Sequence, residues 1–220
     1  METIQTSLVN ALRLLPRLAD GILVTLEVSA LSFVWAVVWS LVLLPLRMSS
    51  APGVSPIARG YVEVARNTPL LLQMYLLYFG LPLLAIPLSA MTTGVLAIGL
   101  QHGAYLVEIY RAAIRSIHRD QHDAARALGL RPFTTFRLII FPQALRRVFA
   151  PLTNQSIVLI KDTTLVSAIT VMDLTLVGKI IVERSAASDA FVVVAAFYLL
   201  LTSALGLVHR VVEHRYGQHI

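Results

Sequence analysis

The sequence predicts an all-α integral membrane protein with five transmembrane helices, an outer interfacial amphipathic helix before them and a cytoplasmic helix-turn-helix loop between the third and fourth. Three observations lead there. Of 220 residues, 57% are hydrophobic, the mean hydropathy is +0.75 and only 14% are charged, where a soluble domain carries about 25%. The apolar residues come in several runs close to the 20 or so that a helix needs to cross about 30 Å of hydrocarbon. The basic residues, in surplus by +6, collect between those runs. There is no cysteine, which excludes a disulfide framework, a cysteine metal site and a thiol nucleophile.

Residues 1–20 place Ile4, Leu8, Leu12 and Leu15 at helical spacing, with Arg13 and Arg17 off that stripe. This predicts a helix lying in the outer interface, because the order of basic, apolar and small residues is not that of a signal peptide. The transmembrane domain covers 21–210. Span one runs from about Gly21 to Leu46 and carries Trp35 and Trp39. Span two, about Pro69 to Leu88, contains Pro82 and Pro87, which kink or unwind its outer part. Spans three, four and five run from about Ser89 to Tyr110, Val148 to Met172 and Ala187 to Val208, and residues 211–220 form a tail. With the C-terminus in the cytoplasm, thirteen of the 18 Lys and Arg lie on that side, eight of them between spans three and four. Arg13, Arg17, Lys179 and Arg184 fall outside and Lys161 within span four, so the N-terminus is expected outside. The basic surplus then reflects orientation, with no need for nucleic acid as a partner.

The loop over about 112–147 is the most informative polar segment. Asp120 and Asp123 suit the positive end of a helix, and Ala124, Ala125, Ala127 and Leu128 are good helix formers. Gly129 stands where a left-handed cap belongs, and Pro132 opens a second helix over about Phe133 to Ile140 that Pro142 ends or bends.

Polar groups within the spans need partners or water. In span four, Asn154 and Lys161 fall on one line, Gln155 and Asp162 lie about 90° round, and Ser156, Thr163, Ser167 and Thr170 take the far side. Such a helix must be surrounded by protein or water. Lys161 and Asp162 point apart, so each is expected to find its own partner, and an interrupted helix is an alternative. In span three, Gln101, Tyr105, Glu108 and Arg115 share a stripe, and Gly99 and Gly103 offer close approach on the opposite face. Candidates for a translocation pathway are Gln101, His102, Tyr105, Glu108, Asn154, Lys161, Asp162 and Thr163. The competing reading is structural pairing, for Glu108 with Lys161 or with an arginine at the cytoplasmic boundary.

Asp123-Ala124-Ala125, three residues, Gly129, nine residues and Ile139-Ile140-Phe141-Pro142 resemble the EAA loop of the membrane subunits of bacterial ABC importers, with Asp for the usual Glu and Phe for Leu. Arg66 to Gln73, Tyr78 to Pro82, Gly103 to Arg111 and Lys161 to Leu165 resemble the branch that imports polar amino acids such as histidine, arginine, glutamine or glutamate. The similarity covers the chain from about Gly21 onward. The resemblance implies a permease in the bacterial inner membrane, paired with a second permease subunit, identical or related, that encloses the pathway with it. It further implies an extracytoplasmic binding protein and two cytoplasmic ATPase subunits. Asp123, Ala124, Ala125, Leu128, Gly129, Ile139 and Pro142 would dock into an ATPase cleft, and ATP and Mg would belong to those partners. This chain itself should hold no cofactor: Gly178-Lys179-Ile180 lacks the rest of a phosphate-binding loop. No catalytic or metal set emerges, since His118 and His122 lack the carboxylate of an H-E-x-x-H pattern. An oligomeric ion channel and a small intramembrane enzyme are the alternatives. The first would have no use for the loop, and the second would need clustered His or carboxylates at one depth.

Overall fold

The computed structural model describes residues 2–185 and 189–216, and every regular element among them is helical. In order these are α1 (Glu2–Met48), α2 (Val54–Asn67), α3 (Leu70–Tyr75), α4 (Ala90–Arg115), α5 (Arg119–Ala127), α6 (Pro132–Thr135), α7 (Phe141–Asp162), α8 (Leu174–Ser185) and α9 (Asp189–Tyr216). α1 is a single helix about 70 Å long. The segment expected to lie separately in the interface is therefore continuous in backbone with span one. The side chains of its Ile4 to Leu15 stripe lie outside the described residues, as do residues 217–220 of the tail and the side chains of 212–216.

By length and composition, Leu18–Met48 and Asp189–Val208 are able to cross a membrane, and Pro132–Ile169 with Leu174–Arg184, bent by 52°, makes up to a third. The expected spans two and three fail that criterion for different reasons. Leu70–Leu84 is too short. α4, at 26 residues and about 39 Å, is long enough but carries Gln101 and His102 in its middle.

α4 is enclosed by the rest of the bundle, and its glycines set how closely. A Cβ on Gly99 would overlap Trp35 Cδ1, and one on Gly103 would lie 2.9 Å from Trp39 Cδ1 and 3.2 Å from the Ala36 carbonyl. The close partner of the small-residue face is thus α1. Its two tryptophans stack at 6.1 Å, and Trp39 Nε1 donates to Tyr61 Oη (2.7 Å), which donates to the Leu100 carbonyl (3.0 Å). Val28, Met74, Ile98, Leu159, Val166 and Ile169 fill the core where α1, α3, α4 and α7 converge.

Four departures from α geometry among the described residues shape the bundle, one of them a 3-10 turn over Leu81–Leu84. π-helical turns occupy Leu76–Gly80 and Phe136–Ile140, each ending two residues before a proline, Pro82 and Pro142. A proline lacks the N–H and its ring strikes the carbonyl four residues back; the wider turn moves that carbonyl aside. Of the two expectations for Pro142, that it ends the helix or bends it, the first does not hold. Pro142 sits in the first turn of α7, and the chain stays helical from Pro132 to Asp162. Span four is not one regular helix either: it tightens to 3-10 geometry over Thr163–Ile169 and stops at Thr170, φ +70°. The hydroxyls of Thr163, Thr164 and Ser167 donate to carbonyls three residues back at 2.7–2.8 Å, in competition with the α ladder.

α8 follows the break and was not anticipated. Buried Asp173 caps it, accepting from the Thr175 and Leu176 amides at 3.1 and 3.0 Å. Thr25 Oγ1 accepts from the Leu174 amide (3.0 Å) and donates to the Gly21 carbonyl (2.9 Å), joining α8 to α1.

Candidate functional site

The loop forms as a helix, a turn and a second helix. Gly129 has φ +70°; its amide donates to the Arg126 carbonyl (2.9 Å) and the Leu130 amide to the Ala125 carbonyl (3.0 Å), the paired bonds of a Schellman cap. A Cβ there would meet nothing within 4 Å, so backbone angle rather than space favours glycine. Arg147 Nη1 ties the loop to α7 by donating to the Ser116 carbonyl (2.5 Å) and Oγ (2.7 Å). Asp123, Ala124, Leu128, Gly129 and Pro142 are exposed and Ile139 is half-buried; Leu128 shows 77% of its surface. Ala125 departs from expectation: it is turned into the bundle and buried, because α5 needs one small face to lie against the rest of the chain. Leu130, Pro132, Phe136 and Ile140 meet Met48 around a groove of about 290 Å³ beside the turn.

Deeper in the bundle, His102 is fully buried between α4 and α7. Gln155 Nε2 lies 2.8 Å from its Nδ1 and Asp162 Oδ2 lies 3.0 Å from its Nε2. With the amide nitrogen facing Nδ1, the ring proton belongs on Nε2, where it donates to Asp162. Asp162 is left partly open, at the point where α7 gives way to the 3-10 turn. Lys161 points away and is exposed. Contrary to expectation, no carboxylate among the described residues lies within ion-pair reach of it. Thr163 is buried with its hydroxyl on the Ile160 carbonyl.

The rest of the α4 stripe divides between two tasks. Gln101 is buried, and its Nε2 donates to the Ala65 (3.2 Å) and Thr68 (2.9 Å) carbonyls. Gln73 Nε2 reaches the same two at 2.8 and 2.9 Å, and Tyr105 Oη donates to the Arg66 carbonyl at 3.2 Å. Gln101 and Tyr105 therefore clamp the C-terminal carbonyls of α2, which have no partners within their own helix. Glu108 pairs with boundary arginines rather than Lys161: Arg47 Nε lies 2.8 Å from Oε1 and Arg111 holds Oε2.

Tyr105, Glu108, Asn154 and Gln155 come together with Arg66 and Arg147 around a cavity of about 580 Å³ between α4 and α7, at the end of the bundle that carries the loop. The candidates named from the sequence do not include Gln155, Arg66 and Arg147, which line this cavity, or Arg47, which pairs with Glu108. Gln155 was recognisable as a polar residue one position from a named candidate, and Arg66 lies within a segment singled out for its pattern; Arg47 gave no signal beyond its charge.

The family described as "Binding-protein-dependent transport system inner membrane component" matches residues 36–218. The chain is 37% identical over 204 residues to the glutamine transport system permease protein GlnP of Escherichia coli (strain K12), covering 91% of this chain and 93% of that one. To the nopaline transport system permease protein NocM of Agrobacterium fabrum it is 34% identical over 198 residues, 85% and 82% of the two chains. A crystal structure of an amino acid ABC transporter with histidines superposes with a TM-score of 0.89 at 32% identity, over 94% of this chain and 97% of that one. An inward-facing MetNI methionine ABC transporter shares the fold, with a TM-score of 0.72 at 16% identity over 91% and 98%. On the extent of these matches, the chain belongs to the binding-protein-dependent transport system inner membrane component family, a membrane-embedded transport subunit rather than an enzyme.

Proposed function

We propose that this chain is the permease subunit of an ATP-driven ABC importer that carries a polar amino acid across the bacterial inner membrane. The observation that carries the reading is the exposed α5–Gly129–α6 element at one end of the bundle, in a chain 37% identical to a glutamine permease. Family members work with ATPase subunits and a binding protein. Here two cytoplasmic ATPases bind ATP and Mg, and the loop around Asp123, Leu128 and Gly129 transmits their closure to the helices. Five passes, with the N-terminus outside, place that loop in the cytoplasm, and the pathway runs between this chain and a second permease copy or relative.

A zwitterion crossing the membrane needs both charges compensated. Asp162, oriented by His102 and left partly open, receives the ammonium group. The test is uptake by proteoliposomes holding the whole complex, supplied in turn with L-glutamine, L-histidine, L-arginine and L-glutamate. Accumulation of at least one of them that requires both ATP and the binding protein is expected. Accumulation of none, or flux that proceeds without ATP, overturns the reading.

A further inference from the structure

The cavity at the loop end of the bundle has a charge pattern that the proposed pathway does not explain. Three charged side chains line it: Arg66, Glu108 and Arg147. Both oxygens of Glu108 are engaged by Arg47 and Arg111, and Arg147 is held by Ser116. Arg66 differs. Neither it nor Arg147 has a carboxylate within ion-pair reach among the described residues, but Arg147 is turned onto Ser116 through Nη1, whereas the Arg66 guanidinium lies 4.9 Å above the Tyr105 ring. Its backbone is fixed from below, because Gln73, Gln101 and Tyr105 bind the carbonyls of Ala65, Arg66 and Thr68. A cation stacked on an aromatic face and carried on a clamped helix end is held in place before any ligand arrives, which lowers the ordering cost of binding.

We propose that this cavity is a second binding site for the transported amino acid, in which Arg66 receives the carboxylate. The inference rests on the amino-acid reading above. The volume, about 580 Å³, lies within the usual range for small-molecule sites. Asn154 and Gln155 supply amide oxygens for the ammonium group, and Arg is suited to a planar carboxylate through paired N–H donors. Gln155 also connects the two sites, since its amide reaches His102, which holds Asp162. A substrate leaving Asp162 thus meets Gln155 and then Arg66 on its way to the loop end.

A lipid phosphate offers the same anionic chemistry, and the experiment separates the two. The complete complex, without binding protein, is placed in phosphatidylcholine nanodiscs with and without phosphatidylglycerol. Binding is measured for the labelled amino acid that the uptake panel transports best, with its unlabelled form and its carboxamide as competitors. Expected are two bound amino acids per permease chain in wild type; in Arg66→Gln the affinity of one falls at least tenfold while the other holds, in Arg66→Lys it falls less, and carboxamide binding at that site is weak in wild type and unchanged in either variant, in both lipids. Wild-type affinity in Arg66→Gln overturns the proposal, as does a loss seen only with phosphatidylglycerol, which would assign Arg66 to lipid. Uptake by a wild-type complex that shows no binding in the discs also overturns it, whereas absence of all uptake overturns the transport reading instead.

Discussion

α4 and α9 are nearly equal in length, 26 and 28 residues, and opposite in every other respect. α9 satisfies the composition of a membrane span, yet only 6% of its apolar window is buried; Phe191, Val192, Leu199, Leu200 and Leu207 stand exposed along it. α4 fails that composition, yet Gly99, Gln101, His102, Ala104, Leu106 and Val107 along its middle are all buried. Apolar sequence marks the helix whose side chains stay exposed in this chain, whereas small and polar residues at regular spacing mark the helix that other helices enclose. Hydropathy therefore locates the outside of such a bundle better than its centre.

That contrast is open to breaking by substitution. The largest effect is expected from Gly99→Leu, where even a Cβ would overlap the Trp35 ring; α1 and α4 must separate, and folded protein recovered from membranes should fall nearly to zero. Glu108→Gln should cost about 3 kcal/mol, because buried Arg47 loses its counter-charge; thermal unfolding of purified protein measures it, and Arg47→Met in the same chain should restore part of the loss. Thr25→Val should cost about 1–2 kcal/mol in the same assay, since the Leu174 amide is left without an acceptor. Gly206→Leu in α9, where a Cβ meets nothing within 4 Å, should change stability by less than about 0.5 kcal/mol. Equal tolerance of leucine at positions 99 and 206 would remove the distinction between the two helices.

Much of this organisation was legible in the sequence wherever a local rule decided it. Gly129 was placed as a left-handed cap from its position after a run of helix formers, and it has φ +70°. The spacing of Gly99 and Gly103 pointed to a close helix contact, and the prolines of the second apolar run pointed to an irregular second half, which is π-helical and then 3-10 over Leu76–Leu84. What escaped depended on distant partners. Glu108 meets an arginine 61 positions away, and Gln101 serves carbonyls on a helix whose end no pattern in α4 reveals. α8 escaped because Gly178, Lys179 and Arg184 interrupt its apolar residues, so that it reads as a loop although Asp173 caps it well. The break in span four was one of two readings, and the choice between them came from hydroxyls whose bonds follow backbone geometry rather than residue spacing.

The loop carries the central claim, that helix movement in this chain is driven from outside it. Gly129→Asp tests it most directly, because Asp tolerates a positive φ better than most residues and the position is open, so the chain should still fold and insert. ATP hydrolysis and amino-acid uptake are measured together in proteoliposomes of the whole complex, at matched abundance of wild type and variant. Hydrolysis that continues while uptake falls at least tenfold is the predicted result; uptake at the wild-type rate would contradict the account.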